Sequence, residues 1–251
     1  MSKDKKILAI DIGNTNITVG LFDGQTLLKK SKISTGDISI YAKKFAVMLR
    51  RGADEAVISS VAPLVLCRVV FELKKIMPGL KMIVLGRDRI VPIKNLYRKR
   101  GEVGQDRLVN AFGALSVYGA PAIIVDFGTA ITFDVVSSKG CYLGGLILPG
   151  IAMGLKSLYE KTALLPKVEL KRARSIIGKD TTNSMRAGIL FGYGAMCDGL
   201  IAKYRKLLGS GLKVIATGGN ATLIKSYARS IDIVDQDLTI RSLALISRIA
   251  R

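Results

Sequence analysis

The sequence contains no histidine, and this absence excludes several kinds of site. Ser/His/Asp and Cys/His triads and imidazole metal ligands all need the missing side chain, and imidazole is also the commonest general base. Any proton transfer that the protein carries out is therefore expected to depend on carboxylates.

Cysteine is scarce as well. The three cysteines, Cys67, Cys141 and Cys197, lie far apart and form no CxxC pair. This number and spacing favour neither a disulfide framework nor a zinc site. The chain also lacks a secretory signal pattern and an uninterrupted run of about 18 apolar residues. Together these absences predict a protein of the reducing cytoplasm without a membrane span.

Acidic residues are few compared with basic ones. The sequence has 39 Lys and Arg against 19 Asp and Glu, which gives a net charge of +20. Such a charge attracts nucleotides, nucleic acids or anionic membrane surfaces. The basic residues gather in two clusters, Lys94, Arg98, Lys99, Arg100 and Arg107, and then Lys167, Lys171, Arg172, Arg174 and Lys179. Charge clusters are more often solvated loops than binding sites. Because aromatic residues make up only 6% of the chain and are not interleaved with these clusters, we rank a nucleic-acid partner below an anionic small molecule.

Apolar sequence is plentiful, at 49% of 251 residues, enough for one substantial core or two small domains. In the first seventy residues, ILAIDIG, ITVGLF and TLLKKSKIS predict a three-stranded β-meander. Helical spacing and further strands follow, in the order ββ(β)αβαβ. The second half starts again with the strands AIIVDFG, AITFDVVS and CYLGGLILPG, followed by helical patterns near 151–161 and 181–208. The sequence therefore predicts an α/β protein.

An internal repeat links the two halves. ILAIDIGNTNITVGLF and AIIVDFGTAITFDVV share an apolar run, then Asp, any residue, Gly, a nearby Thr and a second β-rich run. A single copy would be explained by the frequency of Asp and Gly in turns. Two copies about 115 residues apart favour a duplicated α/β domain with a cleft between the halves. We expect the domains to be residues 1–115 and 116–251.

Each copy of the repeat carries a tight turn suited to phosphate oxygens. The first turn, Asp11–Asn16, offers backbone N–H groups, side-chain amides and a hydroxyl, and Gly13 lets a ligand approach the backbone. Asp11 at the strand end is a candidate Mg²⁺ ligand. The second turn, Asp126–Ala130, would grip the nucleotide from the other side. Paired, the turns indicate a kinase or ATPase, while the sequence excludes a P-loop and shows no protein-kinase motifs.

Two further segments are ambiguous when taken alone. The segment from Thr217 to Asn220 has a glycine pair between a strand and a helix, which suits either close approach to a ligand or a plain turn. The segment from Gly104 to Arg107 lies where a loop enters a helix, and an aspartate there is more often a cap than a catalytic group.

Four motifs in combination change this interpretation. DxGNT, GxDR, DxGT and GKxT occur in the order and approximate spacing of type III pantothenate kinases, and the chain resembles this family from about Ile7 to Gly219. The resemblance implies duplicated actin-like (ribonuclease H-like) domains. Each would have a mixed sheet with an N-terminal β-meander followed by helices, with an ATP cleft between them. It also implies ATP-dependent phosphorylation of pantothenate to 4′-phosphopantothenate, the first step of coenzyme A biosynthesis, by a cytoplasmic homodimer.

The resemblance further assigns residue roles. It implies ATP contacts from Asp11, Ile12, Gly13, Asn14, Thr15, Asn16, Ile17, Thr18 and Thr129. Asp126 would ligate a monovalent cation, K⁺ or NH₄⁺, in addition to the Mg²⁺ that accompanies ATP. Asp106 would be the catalytic proton acceptor. The substrate pantothenate would be bound by Tyr97, Gly104, Gln105, Asp106, Arg107 and Thr181.

Two departures from the family pattern lie on the predicted substrate side. The family usually has a small residue, often alanine, in place of Gln105, and asparagine in place of Asp180. One alternative is therefore a kinase of the same fold that acts on another small alcohol. A second is a non-catalytic basic regulator of the transcription accessory factor type, for which the charge of +20 would suit nucleic acid. The presence of Asp11, Asp106 and Asp126 argues against an inactive protein.

Overall fold

Two mixed β-sheets form the framework of residues 5–249, the part of the chain that a computed structural model describes. Contacts divide the chain into two units, each built on one of the sheets. The first unit contains the chain up to Gly113 and again from Asp237 onward, and the second unit is Ala114–Gln236. The boundary expected from the sequence, after residue 115, falls in the same helix as the end of this first segment.

The first unit follows the predicted order of strands and helices. Its strands are β1 (Lys6–Ile12), β2 (Asn16–Asp23), β3 (Thr26–Ser34), β4 (Glu55–Ser60), β5 (Lys81–Val84) and the short β6 (Lys94–Asn95). Its helices are α1 (Tyr41–Leu49), α2 (Pro63–Ile76) and the start of α3 (Gln105–Tyr118). The sheet order is β3-β2-β1-β4-β5, with antiparallel pairing from β1 to β3 and parallel pairing from β1 through β4 to β5. The predicted β-meander is confirmed.

One hydrophobic cluster of the first unit lies on the face of this sheet that α1 and α2 cover. Alternate residues of β1, including Leu8 and Ile10, are fully buried there. They pack with Phe45 of α1 and with Val69 and Leu73 of α2, which supply the predicted helical stripes. Because strand side chains alternate between faces, Asp11 points away from this core and Ile12 points into it.

The second unit repeats the same topology. Its strands are β7 (Ala122–Phe127), β8 (Ala130–Val136), β9 (Cys141–Pro149), β10 (Lys213–Thr217) and β11 (Ile233–Val234). Its helices are α4 (Ile151–Glu160), α5 (Thr181–Leu208) and α6 (Ala221–Lys225). Here β9, β8, β7, β10 and β11 lie in the places that β3, β2, β1, β4 and β5 hold in the first unit, with the same strand directions. The duplication predicted from the two turns is confirmed.

The last helix, α7 (Leu238–Arg248), belongs to the first unit. It packs on β1, β2 and β4 and buries Leu238, Leu243 and Ile246. The Ser247 hydroxyl also donates a hydrogen bond of 2.8 Å to Glu55 of β4. The sequence prediction included these residues in the second domain because they follow it along the chain. An amphipathic pattern shows which face of a helix is apolar, but not which of two sheets that face covers.

None of the helices within residues 5–249 combines the length and the apolar character needed to cross a membrane. This agrees with the absence of long apolar runs from the sequence.

Candidate active site

The first turn is a tight connection between β1, the central strand of the first sheet, and its neighbour β2. The Gly13 N–H donates a hydrogen bond of 3.0 Å to the carbonyl of Asn16, and Ile12 pairs with Ile17 at the base of the turn. Asp11 is the neighbouring residue of β1 and is partly exposed. The local sequence folds in this way because two buried isoleucines anchor the strands while glycine and polar residues cross between them.

A short segment after β3 fixes the conformation of this turn. The Thr35 N–H donates to the carbonyl of Thr15 at 2.9 Å, and the Thr35 hydroxyl donates to the carbonyl of Gly13 at 3.0 Å. The buried hydroxyl of Tyr41 in turn donates to the carbonyl of Thr35 at 2.6 Å. Burial raises the pKa of the Tyr41 hydroxyl above its ordinary value, which already lies well above neutral pH, so the hydroxyl is protonated and donates. The turn is therefore held through its carbonyl groups.

The predicted ATP-binding residues of the first turn differ in their exposure. Asn14 and Thr15 are exposed, while the side chains of Ile12 and Ile17 are buried in the core. These two isoleucines can reach a nucleotide only through their backbone atoms. The remaining four predicted contacts are partly exposed: Asp11, Gly13, Asn16 and Thr18.

Asp106 lies in the first turn of α3, as expected for the GxDR stretch. Its Oδ1 accepts a hydrogen bond of 2.9 Å from the N–H of Arg107, and its carboxylate also packs against Gly104. A Cβ at position 104 would lie 2.5 Å from Asp106 Oδ1. Burial raises the pKa of Asp106 above its ordinary value, although the N–H and the guanidinium of Arg107 act in the opposite direction. A carboxylate with a raised pKa is a stronger base.

Gln105, the first departure from the family pattern, packs on the backbone after β5. A Cβ at Gly86 would lie 2.9 Å from Cδ of Gln105. The side-chain amide of Gln105 therefore occupies space that a side chain at position 86 would fill. Tyr97, earlier in the same connection, is partly exposed, and its N–H donates to the side chain of Asn95 at 2.9 Å.

The end of β4 connects the first turn to the start of α3. The N–H of Val61 donates to the carbonyl of Ile12 at 3.0 Å, which continues the pairing of β4 with β1. A Cβ at Gly104 would lie 3.5 Å from the side chain of Val61. The first unit thus brings Asp11 and Asp106 to the carboxyl ends of neighbouring parallel strands, which is the edge where α/β sheets bind ligands.

The second turn in the second unit is closed by the pairing of Phe127 with Ile131. Its Asp126 is partly exposed, and Thr129 is exposed. Two glycines bring backbone against this turn, because a Cβ at Gly218 would overlap Asp126 Oδ1 and one at Gly150 would overlap the carbonyl of Thr129. Gly218 has a φ of +86°. The glycine pair after β10, which was ambiguous in the sequence, therefore packs against the second turn.

Asp180, the second departure, caps the longest helix of the second unit. Its Oδ1 accepts a hydrogen bond of 2.9 Å from the N–H of Asn183, and its Oδ2 accepts one of 2.6 Å from the Asn183 side chain. These bonds hold the pKa of Asp180 below its ordinary value. Thr181 is the first residue of α5 and is exposed. Aspartate and asparagine are both good N-caps, so the exchange preserves this part of the structure.

No group of three or more acidic or cysteine side chains in residues 5–249 could hold a metal ion without other ligands. Mg²⁺ in nucleotide sites does not need such a group, because it keeps several waters and binds one or two carboxylates together with phosphates. Asp11, a partly exposed carboxylate beside the first turn, fits this mode of binding.

Sequence reasoning missed several residues that shape the site. Thr35 and Tyr41 support the first turn, Gly150 supports the second, and Ser59 lies buried beside Asp11. The two serines that end the apolar strand AVISSV were a signal for Ser59, because a buried strand seldom carries adjacent hydroxyls. The contacts of Thr35 and Gly150 depend on the tertiary fold.

Solved structures resemble this fold over almost its whole length. A protein from Campylobacter jejuni described as a conserved putative Baf family transcriptional activator is 21% identical, with a TM-score of 0.55 and coverage of 95% of both chains. MreB5 of Spiroplasma citri bound to ADP is 11% identical, with a TM-score of 0.52 and coverage of 97% of this chain and 96% of that one. These similarities show the duplicated actin-like fold.

Curated relatives are much more similar in sequence. Type III pantothenate kinase of Syntrophobacter fumaroxidans is 40% identical over 257 residues, which cover 96% of each chain. That of Syntrophus aciditrophicus is 38% identical and covers 96% of this chain and 98% of the relative. The family model described as type III pantothenate kinase matches residues 7–203. The chain therefore belongs to the type III pantothenate kinase family.

Proposed function

We propose that this chain transfers the γ-phosphoryl group of ATP to the primary hydroxyl of pantothenate and releases 4′-phosphopantothenate and ADP. The observation that carries the proposal is the partly buried carboxylate of Asp106 in the first turn of α3, within a chain of this family. The names of the relatives support the reaction class and the acceptor. They do not favour the two alternatives that the sequence left open.

Asp106 acts as the proton acceptor. In-line phosphoryl transfer requires a positioned hydroxyl, charge neutralisation and a carboxylate oriented towards the hydroxyl proton. The hydrogen bond from the N–H of Arg107 fixes the orientation of the Asp106 carboxylate, and its raised pKa makes it a stronger base than an exposed aspartate. The proton of the substrate hydroxyl passes to Asp106 as the new P–O bond forms, and the bond to ADP breaks on the opposite side.

The first turn binds the phosphates of ATP. Its carbonyls of Gly13 and Thr15 already accept hydrogen bonds from Thr35, which fixes the backbone around them. The exposed side chains of Asn14 and Thr15 add an amide and a hydroxyl that suit phosphate oxygens. Mg²⁺ supplies charge neutralisation at the phosphates, and Asp11 would hold it directly or through water.

The second turn contributes to the same reaction in this proposal. Thr129 contacts ATP through its exposed side chain, and Asp126 holds a monovalent cation, K⁺ or NH₄⁺. The close packing of Gly218 against the Asp126 carboxylate and of Gly150 against the Thr129 backbone supports this role, because it restrains the turn that carries both residues.

Pantothenate is bound by the stretch around Asp106 and by two residues farther away. The residues next to Asp106 in the sequence are Gly104, Gln105 and Arg107. The guanidinium of Arg107 suits the carboxylate of pantothenate. The packing of Gln105 on Gly86 supports pantothenate as the acceptor, because it gives this larger side chain a place at the end of β5. Tyr97 and Thr181 complete the proposed set.

The cellular setting and the assembly belong to the proposal as well. All three cysteines are free thiols, of which Cys141 and Cys197 are buried, and this supports a reducing cytoplasm. We also propose a homodimer, which sedimentation at micromolar concentration would test. A monomer under assay conditions would contradict the dimer.

The experiment that tests the function is a steady-state assay of ADP release with ATP, Mg²⁺, K⁺ and pantothenate. Asp106→Asn should lower kcat by about 10²- to 10⁴-fold, the usual contribution of a positioned general base. Glu160→Gln makes the same chemical change at an exposed position of α4, where the carboxylate pairs with Lys156, and it should keep wild-type kinetics. Wild-type protein that releases no ADP in response to pantothenate would contradict the proposal.

A further inference from the structure

Ser59 is a buried hydroxyl whose place in the fold suggests a role. It lies near the end of β4, and none of its surface is exposed to solvent. Within residues 5–249 its Oγ has no hydrogen-bond partner. Buried hydroxyls are nearly always paired, because an unpaired one costs stability without return. We therefore expect the Ser59 hydroxyl to form a hydrogen bond when a ligand is bound.

The neighbour that can use it is Asp11. In the parallel pairing of β1 with β4, Asp11 and Ser59 are direct partners. Neighbouring strands lie about 4.8 Å apart, and paired residues direct their side chains to the same face. Rotation about a single side-chain bond moves a serine Oγ between three staggered positions. A carboxylate on the adjacent strand is thus within reach of the Ser59 hydroxyl.

The second unit shows the same arrangement independently. Asp126 of β7 is paired with Thr217 of the parallel strand β10, and Thr217 is buried. In both units, therefore, the aspartate at the end of the central strand has a buried hydroxyl residue as its partner on the next parallel strand. Strand stability does not require this, because apolar residues fill the preceding positions on the same face of each strand, Val57 in β4 and Ile215 in β10.

We propose that Ser59 is a positioning residue for the cation bound with ATP: its hydroxyl donates a hydrogen bond to the carboxylate of Asp11 and orients it when Mg²⁺·ATP occupies the first turn. This inference rests on the proposed function for the presence of Mg²⁺·ATP. The hydrogen bond leaves the second oxygen of Asp11 directed at the cation or at one of its waters. Groups that orient a metal-binding carboxylate contribute to metal affinity without touching the metal.

The test compares ATP affinities with and without the cation, by calorimetry in the absence of pantothenate. Ser59→Ala should weaken binding of ATP in excess Mg²⁺ by about tenfold. It should change ATP affinity in EDTA by less than about twofold, because the bond orients only the metal-binding group. Ser59→Cys preserves the side-chain volume with a weak donor, and it should show the same selective loss.

Ser242→Ala is the matched control. Ser242 is also completely buried in the first unit, but its hydroxyl already donates to the carbonyl of Leu238 at 2.5 Å. This variant should have a lower melting temperature and unchanged Mg²⁺·ATP affinity. Ser59→Ala should keep or raise the melting temperature, because it removes an unpaired hydroxyl.

Three results would overturn the inference. They are wild-type Mg²⁺·ATP affinity in Ser59→Ala, wild-type affinity in Ser59→Cys, and a wild-type protein whose ATP affinity is the same in Mg²⁺ and in EDTA. Failure of the proposed function is distinguishable from these. If the wild type binds Mg²⁺·ATP but does not phosphorylate pantothenate, while Ser59→Ala selectively loses the Mg²⁺ effect, the inference stands and the acceptor is different.

Discussion

At the residue scale, the burial of Asp106 has two opposite consequences. Burial disfavours the charged form and raises the pKa of this carboxyl in the folded protein. The raised pKa strengthens the base that the reaction needs. Since the unfolded chain has the ordinary, lower pKa, Asp106 favours folding when it is protonated, and this contribution is lost as the pH rises through the folded-state pKa. Activity and stability are therefore in conflict at this residue.

Asp106→Asn should consequently raise the melting temperature at pH 7 while it abolishes most of the activity. Asparagine preserves the acceptor for the Arg107 N–H but carries no charge to bury. The gain over the wild type should shrink as the pH is lowered below the ordinary aspartate range, because the wild-type carboxyl is then neutral in both states. Thermal melts of both proteins between pH 3 and pH 8 measure this difference in melting temperature. The pKa of free aspartate, about 3.9, marks the pH region in which the difference should shrink. A variant less stable than the wild type at pH 7 would contradict the assignment of burial as the dominant cause.

At the scale of the element, the second turn depends on the strand-to-helix connection after β10. Gly218 has a positive φ, and its lack of a side chain lets the backbone lie against Asp126 and Phe127. The turn would have to move to make room for any larger residue. Two independent constraints, backbone conformation and space, thus require glycine at this position.

Gly218→Ala should lower the free energy of unfolding by about 2–4 kcal/mol, from left-handed backbone strain together with overpacking. Gly209→Ala serves as the control, because Gly209 has a φ of +96° but open space around its Cβ position. It should lose only about 1–2 kcal/mol, the conformational part alone. Urea denaturation of the two variants gives the comparison. Equal losses would mean that close packing against Asp126 contributes nothing.

Much of the element pattern could be predicted from the sequence, and particular residues show why. The runs around Ile7–Ile10 and Ile123–Val125 are short, apolar and bounded by Asp and Gly, so their strands and turns were recognisable. The sequence could not show that α7 belongs to the first unit, because an apolar stripe on a helix does not indicate which sheet it packs against. The position of the Gln105 side chain was equally inaccessible, since it depends on Gly86, about 20 residues earlier on another strand connection. The ligand contacts assigned to Tyr97, Thr129 and Thr181 stay predictions.

At the scale of the whole molecule, the net charge of +20 remains the feature that the fold does not require. The residues of both basic clusters are exposed except for Arg107, which is buried beside Asp106. Exposed charges contribute little to stability but create a field that draws anions towards the protein. ATP and pantothenate are both anions, so this field acts on the association steps of the proposed reaction.

Ionic strength should therefore change the rate of substrate binding more than the rate of phosphoryl transfer. Raising the salt from about 0.01 M to 0.5 M, with K⁺ held constant and choline chloride as the added salt, shortens the screening length several-fold. We expect kcat/KM for ATP to fall by about three- to tenfold, while kcat changes by less than about twofold. A neutral solute at matched osmolality is the control. A kcat/KM that does not respond to salt would show that the basic surface serves another purpose.

The most direct test of the central claim is to identify the phosphorylated product. Wild-type protein is incubated with ATP, Mg²⁺, K⁺ and an equimolar mixture of pantothenate and other small primary alcohols, and the products are separated and identified by mass. We expect 4′-phosphopantothenate to be the dominant phosphorylated product and to be largely missing when Asp106→Asn replaces the wild type. A different phosphorylated alcohol, or none from protein that binds ATP, would contradict the assignment of pantothenate as the substrate.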